Sequence, residues 1–314
     1  MEEKNRVKRN FSLYNVLLAV LLGVYAITII FSIYFVLANA FKDAADYYGG
    51  LSITGRVFEG ENIFGIPRMS FTFYNVKEVL SYEIEVSRNT ESLILSIFPE
   101  VVLYSIVYSI GGAFFAAFIP CITAYFVAKF NYKFSKVLYA TAVIVIVVPI
   151  VGNLPSTYRV LRTLHLYDNI FGMFLCKAHF VNMWFLVFYA AFKGVPNDYM
   201  EAAYIDGASE FRVMVNIMLP LVRNAFFTVV LIFFVDLWND YQTPALFLPS
   251  YPTIAYIVST FSSISKSTSD GMYALTDMSF QMAACAVAII PTLTLFIIFR
   301  NKLMGNLTMG GIKG

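Results

Sequence analysis

Pro196-Asn197-Asp198-Tyr199-Met200-Glu201-Ala202-Ala203-Tyr204-Ile205-Asp206-Gly207-Ala208-Ser209, closing downstream at Ile217-Met218-Leu219-Pro220, is a polar, turn-bearing segment set between long apolar runs. Gly194 breaks the apolar run before it, and Pro196 suits a helix start. Asp198 and Glu201, three apart, make a capping-box pattern, so the spacing predicts a helix over 198–206. Gly207 is placed to end that helix, because glycine takes the left-handed conformation without steric cost. Ser209 can cap a second helix running to Leu219 and stopped by Pro220. Ala202, Ala203 and Ala208 then allow a partner surface to approach closely. The competing reading is a helix floating on lipid headgroups, which calls for a basic polar face. Here Asp198, Glu201, Asp206 and Glu210 stand against Arg212 alone, and anionic lipid would repel them. The segment reads as a knob on which a soluble partner docks.

The chain around it is that of a membrane protein. Of its 314 residues, 59% are hydrophobic and 13% charged, and the mean hydropathy is +0.70, a composition no soluble fold of this size carries. Apolar runs occupy Val16–Ala38, Val101–Ala128, Val137–Tyr158, Ile170–Phe192, Asn224–Val235 continuing to about Leu248, and Met278–Phe299. Each is near the ~20 residues a spanning helix needs, which predicts an all-α membrane domain of six spans over residues 1–314. Cys121, Cys176 and Cys285 all lie inside these runs and read as small apolar residues. Lys4, Arg6, Lys8 and Arg9 ahead of the first run give it the outline of a signal peptide. Its apolar core exceeds the roughly 7–15 residues of such a peptide, so it reads as a retained helix.

Lysine and arginine set the orientation. With the N-terminus inside, the inner segments hold thirteen basic residues, among them Lys129, Lys133, Lys136, Lys193, Arg212 and Arg223, against six acids, while acids dominate elsewhere. The expected cytoplasmic parts are residues 1–15, the loop 193–222 and the tail 300–314; the expected extracytoplasmic parts are 39–100 and 249–277. The first outer segment mixes turn residues with aromatics, and periodicity over Val76–Ser87 is compatible with a short surface helix. The second is rich in serine and threonine, with Lys266 and an Asp270-Gly271 turn signal.

Chemistry within the chain is poorly supported. The sequence contains no G-x-x-x-x-G-K-[ST] phosphate loop, so the chain does not hydrolyse ATP by that route. His165 and His179 are the two histidines, and neither sits in H-E-x-x-H or beside paired carboxylates. No catalytic residue and no metal site is expected. His165, beside Arg162 and Asp168, reads as a solvated loop residue; His179 reads as facing a cavity or an interface. Ionisable and polar groups inside the runs mark pathways or partners instead. Asp236 is followed by Trp238, Asn239, Asp240 and Tyr241, and Lys177 lies in the fourth run. Asp236 is either a carboxylate satisfied at a subunit interface or a group that bonds solute hydroxyls, with Trp238 or Tyr241 stacking on a sugar ring. Asn153, Asn182, Trp184 and Tyr189 are further pathway candidates, although aromatics in membranes are more often belts or packing. Pro120, Pro149 and Pro291 fall inside runs, where they kink helices.

The docking segment resembles the signature of the membrane subunits of binding-protein-dependent ABC importers: Glu201-Ala202-Ala203, Gly207, then Ile217-Met218-Leu219-Pro220. Pro196 ahead of it and Asp206-Gly207-Ala208 within it are similar to the carbohydrate branch, of maltose and polysaccharide type. Trp238-Asn239-Asp240-Tyr241 with Pro244, Met282-Ala283-Ala284 with Pro291, and the Gly310-Gly311-Ile312-Lys313-Gly314 tail extend the resemblance over most of the chain. The tail departs from the family at Asn306-Leu307-Thr308-Met309, where a glycine and alanine mix is usual.

The resemblance implies a type I importer permease in a bacterial plasma membrane. Glu201–Gly207 becomes a coupling helix seated in a cleft of a cytoplasmic ATPase subunit, with Leu219 and Pro220 closing the motif. Two such ATPase subunits, carrying ATP and Mg, a second and distinct membrane subunit, and an extracytoplasmic solute-binding protein are the implied partners; nucleic acid is not. The cargo is an oligosaccharide by resemblance, with a peptide, amino acid or ion as the alternative, and a scaffold or channel without ATP coupling as the reading outside transport.

Overall fold

The computed structural model describes residues 13–51, 57–68, 71–88, 91–96, 100–148, 152–263 and 278–307. The N-terminal basic stretch, Pro149, Lys266, the Asp270-Gly271 turn and the glycine-rich tail lie outside them. By its internal contacts the chain divides into two compact units, Met1–Val79 with Ile264–Val287, and Leu80–Ser263 with Ala288–Gly314.

In the first unit, α1 (Leu13–Ala40) is a continuous apolar helix of 28 residues, bare until Phe64 meets Phe31, Tyr34 and Phe35, with Ala38, Asn39 and Ala40 buried at its end. The polypeptide after it is tied by polar groups. The Lys42 ammonium is fully buried and donates to Asn39 Oδ1 at 2.8 Å and to the carbonyl of Asn62. Burial pulls its pKa below the usual lysine value, and the Asp46 charge partly offsets this. Asp46, in α2 (Ala44–Tyr48), accepts from Arg68 N and Asn62 Nδ2 and pairs with the Arg68 guanidinium at 3.4 Å. Asn75 Nδ2 closes the loop by donating to Ala40 O and Lys42 O. A short ladder joins β1 (Gly50–Leu51) to β2 (Val57–Phe58).

The helix expected over Val76–Ser87 is shorter than its pattern suggested. It is α3 (Tyr74–Ser81), after which β3 (Glu83–Arg88) pairs antiparallel with β4 (Glu91–Ser96). From Glu83 the apolar positions Ile84 and Val86 alternate with polar ones, a period of two that suits a strand. The two small ladders are the exceptions, among the described residues, to the all-α expectation.

The second unit is built around α4 (Val102–Lys129), which packs against α7 (Ile170–Lys177), α8 (Met183–Lys193) and α12 (Arg223–Trp238). Small residues let these neighbours in. A Cβ on Gly111 would stand 2.2 Å from Phe174 Cζ, and one on Gly112 would stand 2.7 Å from Leu237 Cδ1. Close backbone approach through small residues is how helices associate where lipid removes the hydrophobic drive. Phe185, Phe188 and Phe192, on one face of α8, are fully buried with Tyr125, Met218 and Val229 in the same core.

Three of the expected spans are not single helices. The run 137–158 falls into α5 (Lys133–Val147) and α6 (Leu154–Thr163), separated where Val148 is extended and Gly152 has φ +76°. The run 170–192 breaks between α7 and α8, because Asn182 turns its side chain to cap Phe185 N at 3.0 Å, with the backbone at φ −159°. The fifth run ends as a helix at Trp238 and restarts as α13 (Gln242–Phe247), with Asp240 Oδ1 accepting from Thr243 N. The chain then continues through α14 (Ile254–Ser263), and α15 (Met278–Leu307) carries Pro291 without a break. Among the described residues α1 and α4 are long and apolar enough to cross a membrane unaided.

Candidate coupling surface and pathway residues

The Glu201 segment forms two helical pieces meeting at a turn. Lys193 ends α8 with Gly194 as its cap, and α9 (Asp198–Ile205) follows. The cap differs from the expected box: Asn197 is the N-cap and makes no side-chain cap bond, so Asp198 and Glu201 both lie in the first turn. The Asn197 side chain is engaged elsewhere, accepting at 2.9 Å from the Lys129 ammonium, which also donates to Val195 O at 2.6 Å. The last residue of α4 thus holds the entry of α9. The two acids of that first turn still face the positive end of the helix dipole.

The end of α9 follows the sequence reading closely. Gly207 has φ +77°, its N–H donates to Tyr204 O at 3.0 Å, and the N–H of Ala208 reaches back to Ala203 O at 2.9 Å. That pair of bonds is a Schellman termination, which satisfies carbonyls the helix would leave open. A Cβ at Gly207 would meet no atom within 4 Å, so backbone conformation alone explains the glycine there. Ser209 then caps α10 (Glu210–Val213), accepting from Arg212 N.

Pro220 does not stop the helix. Met214–Met218 form a π turn in which Leu219 N–H reaches Met214 O, and α11 (Leu219–Leu221) carries the proline onward. In a regular α-helix, Pro220 would withhold a donor and press its ring on the carbonyl four residues back. The wider turn shifts the register ahead of it. The break comes at Val222, where the helix stretch Glu210–Leu221 bends by 73° into α12.

Burial gives the knob two faces. Met200, Ala203, Val213 and Met214 join the core with Phe192 and Tyr125. Glu201, Ala202, Asp206 and Gly207 are exposed and Ala208 half-buried, while Leu219 packs at the core's edge and Pro220 is exposed. The outward face also carries Tyr199, Ile205 at 86% exposure and Phe211 at 72%. Sequence reading passed over these three. Their signal was apolar residues in a polar segment, out of phase with Met200 and Ala203. The Tyr204 phenol has its pKa raised, first by burial and then by the Glu210 carboxylate.

The pathway candidates do not form one cluster. Asp236, Asn239 and Tyr241 are exposed near the end of α12, Asp236 makes no hydrogen bond or ion pair among the described residues, and Asn239 Nδ2 donates to Val235 O. Trp238 is buried, stacked on Phe234, and its indole N–H donates to Ala288 O at 3.0 Å, so its ring is occupied in packing. Trp184 meets Phe233 edge-on, Asn182 caps α8, and Asn153 precedes α6. Tyr189 lies beside Tyr139 with the Lys193 ammonium over its ring, near the coupling segment. Asp240, noted in the sequence only as a neighbour of Asp236, is the organised carboxylate: its Oδ2 accepts from Tyr108 Oη at 2.9 Å and faces the Lys177 ammonium at 3.3 Å. His165 and His179 are both exposed, and the described residues hold no cluster of three metal-ligating side chains.

The solved chain of a bacterial ABC transporter involved in the import of the acidic polysaccharide alginate superposes with a TM-score of 0.71, covering 96% of this chain and 99% of that one at 20% identity, which establishes a common fold. The arabinooligosaccharides transport system permease protein AraQ of Bacillus subtilis is 24% identical over 211 residues, 67% of this chain and 72% of AraQ. The AmyC protein of Thermoanaerobacterium thermosulfurigenes, a probable starch degradation products transport system permease, is 23% identical over 209 residues, 67% of this chain and 74% of AmyC. Residues 7–304 match the family described as binding-protein-dependent transport system inner membrane component, and the chain belongs to that family.

Proposed function

We propose that the chain is a membrane subunit of an ATP-driven importer and that it moves a carbohydrate, an oligosaccharide or a longer polysaccharide. The observation that carries this reading is α9: a short helix with a Schellman end, anchored to the core by Met200 and Ala203 and to α4 by Lys129, with its other face bare. A rigid projection of that kind transmits a push, whereas a floppy loop would absorb it. The carbohydrate assignment draws on similarity to permeases named for arabinooligosaccharides and starch products.

In this reading six spans cross a bacterial plasma membrane with both termini inside. Two cytoplasmic ATPase subunits bind ATP and Mg, a second and distinct membrane subunit completes the pathway, and a solute-binding protein delivers cargo from outside. Closure of the ATPase pair on ATP moves α9 as a rigid body and biases the spans between inward-open and outward-open states. Asp236, Asn239 and Tyr241 are proposed to face the pathway, where an exposed carboxylate and amide suit sugar hydroxyls. In the reconstituted complex, Gly207→Pro or Glu201→Lys is expected to abolish solute-stimulated ATP hydrolysis while the subunits still co-purify. Undiminished stimulation in both variants would return the chain to a scaffold or an uncoupled channel.

A further inference from the structure

Beside the start of α9 the second unit holds a cavity of about 430 Å³ whose lining includes Lys129, Asn131, Lys136, Tyr139, Tyr189 and Lys193. Three lysines line one concavity, and no carboxylate-bearing residue does. Among the described residues none of the three is in a salt bridge. Lys129 is bonded only to uncharged acceptors, Val195 O and Asn197 Oδ1. Lys193 sits 5.7 Å over the ring of Tyr189, and Lys136 is exposed in the opening turns of α5. Three like charges gathered without an anion repel one another, at a cost the fold accepts. An ordinary solvated basic face would be convex and would hold its lysines apart. Here α4, α5 and α8 bring them to a hollow that also offers an amide and two phenols as neutral donors.

Compact ammonium charges with neutral donors around them suit a tetrahedral oxyanion. We propose that this cavity binds a phosphate group, and that its occupancy tunes the seating of α9. An anionic phospholipid headgroup and a free phosphate compound offer the same chemistry. The link to α9 runs through Lys129, whose ammonium holds both Val195 O and Asn197 at the helix entry. A phosphate drawing on that ammonium loosens the hold on the entry. The choice of leaflet for a lipid rests on the cytoplasmic placement proposed above; the anion chemistry does not.

The test uses the complete complex and native mass spectrometry, titrating phosphatidylglycerol, phosphatidylcholine and inorganic pyrophosphate separately. Phosphatidylglycerol is expected to bind and phosphatidylcholine not. Lys136→Gln with Lys193→Gln is expected to weaken binding by roughly 25-fold, from about a fivefold contribution per lysine near an anionic surface. Lys136→Arg with Lys193→Arg keeps the charge and is expected to restore binding, which separates loss of charge from misfolding. Pyrophosphate binding with the same lysine dependence, without phosphatidylglycerol binding, assigns the site to a free phosphate compound. Equal binding by the wild-type and glutamine forms, or no binding of either probe, overturns the proposal. So does binding by the isolated membrane subunits that disappears when the ATPase subunits assemble, since the cavity would then belong to that interface. A Gly207→Pro complex should lose coupling yet keep phosphatidylglycerol, so the two proposals fail separately.

Discussion

At Gly207 the reason for glycine is conformational and nothing else, since φ is +77° and the space beside it is open. Gly207→Ala is therefore expected to cost about 1–2 kcal/mol, and Gly207→Asn distinctly less, because asparagine visits the left-handed region more readily. Thermal unfolding of the purified complex checks the order; an alanine variant as stable as the wild type would contradict it. Lys177 and Asp240 pose a different residue question, because each keeps the other's charge tolerable where both are largely withdrawn from solvent. The side chains are 26% and 17% exposed, so the loss on Asp240→Ala should fall below that of a fully buried pair, at about 2 kcal/mol. Adding Lys177→Met is expected to recover part of that loss in a double-mutant cycle, and strict additivity would mean that the pair does not interact. The sequence displayed both residues yet concealed their meeting, since Lys177 ends α7 and Asp240 sits in the gap between α12 and α13, 63 positions away.

Among the elements, α9 was the most legible. Gly207, Ser209 and the 198–206 spacing are local signals, and local signals survive tertiary packing. The cap at Asn197 was not legible, because its side chain is claimed by Lys129 from a distant helix. The π turn before Pro220 was hidden for a related reason: a proline announces that a helix must adjust, and the adjustment can be a stop or a change of register. The apolar runs at 137–158 and 170–192 looked continuous because hydropathy counts carbon and ignores backbone hydrogen bonds. For α4, Gly111 fixes how near α7 can come. Gly111→Ala drives a Cβ into the Phe174 ring and is expected to destabilise the complex by about 1–3 kcal/mol. Phe174→Leu in the same background should recover part of that stability, as read by the midpoint of thermal unfolding; no recovery would move the strain elsewhere.

Across the molecule, the chain leaves α1 bare for most of its length and leaves Asp236 without a partner among the described residues. Both fit a subunit whose remaining surfaces are met by lipid and by other chains. The interruption between α7 and α8 has a sharper implication. Over residues 178–182 the helical ladder lapses, with His179 N bonded only two residues back to Lys177 O. Hydrocarbon exacts several kcal/mol for each open backbone group, so irregular chain at membrane depth persists where protein covers it or water wets it. The exposed side chains of His179 and Phe180 argue against coverage within this chain. Ala178, His179 and Phe180, replaced singly by cysteine, are expected to react with a membrane-impermeant maleimide, whereas cysteines at Leu17 and Leu21 of α1 stay inert. Reaction at these three positions would identify the lapse as a point where water reaches the backbone, and protection of all three would assign its cover to another chain.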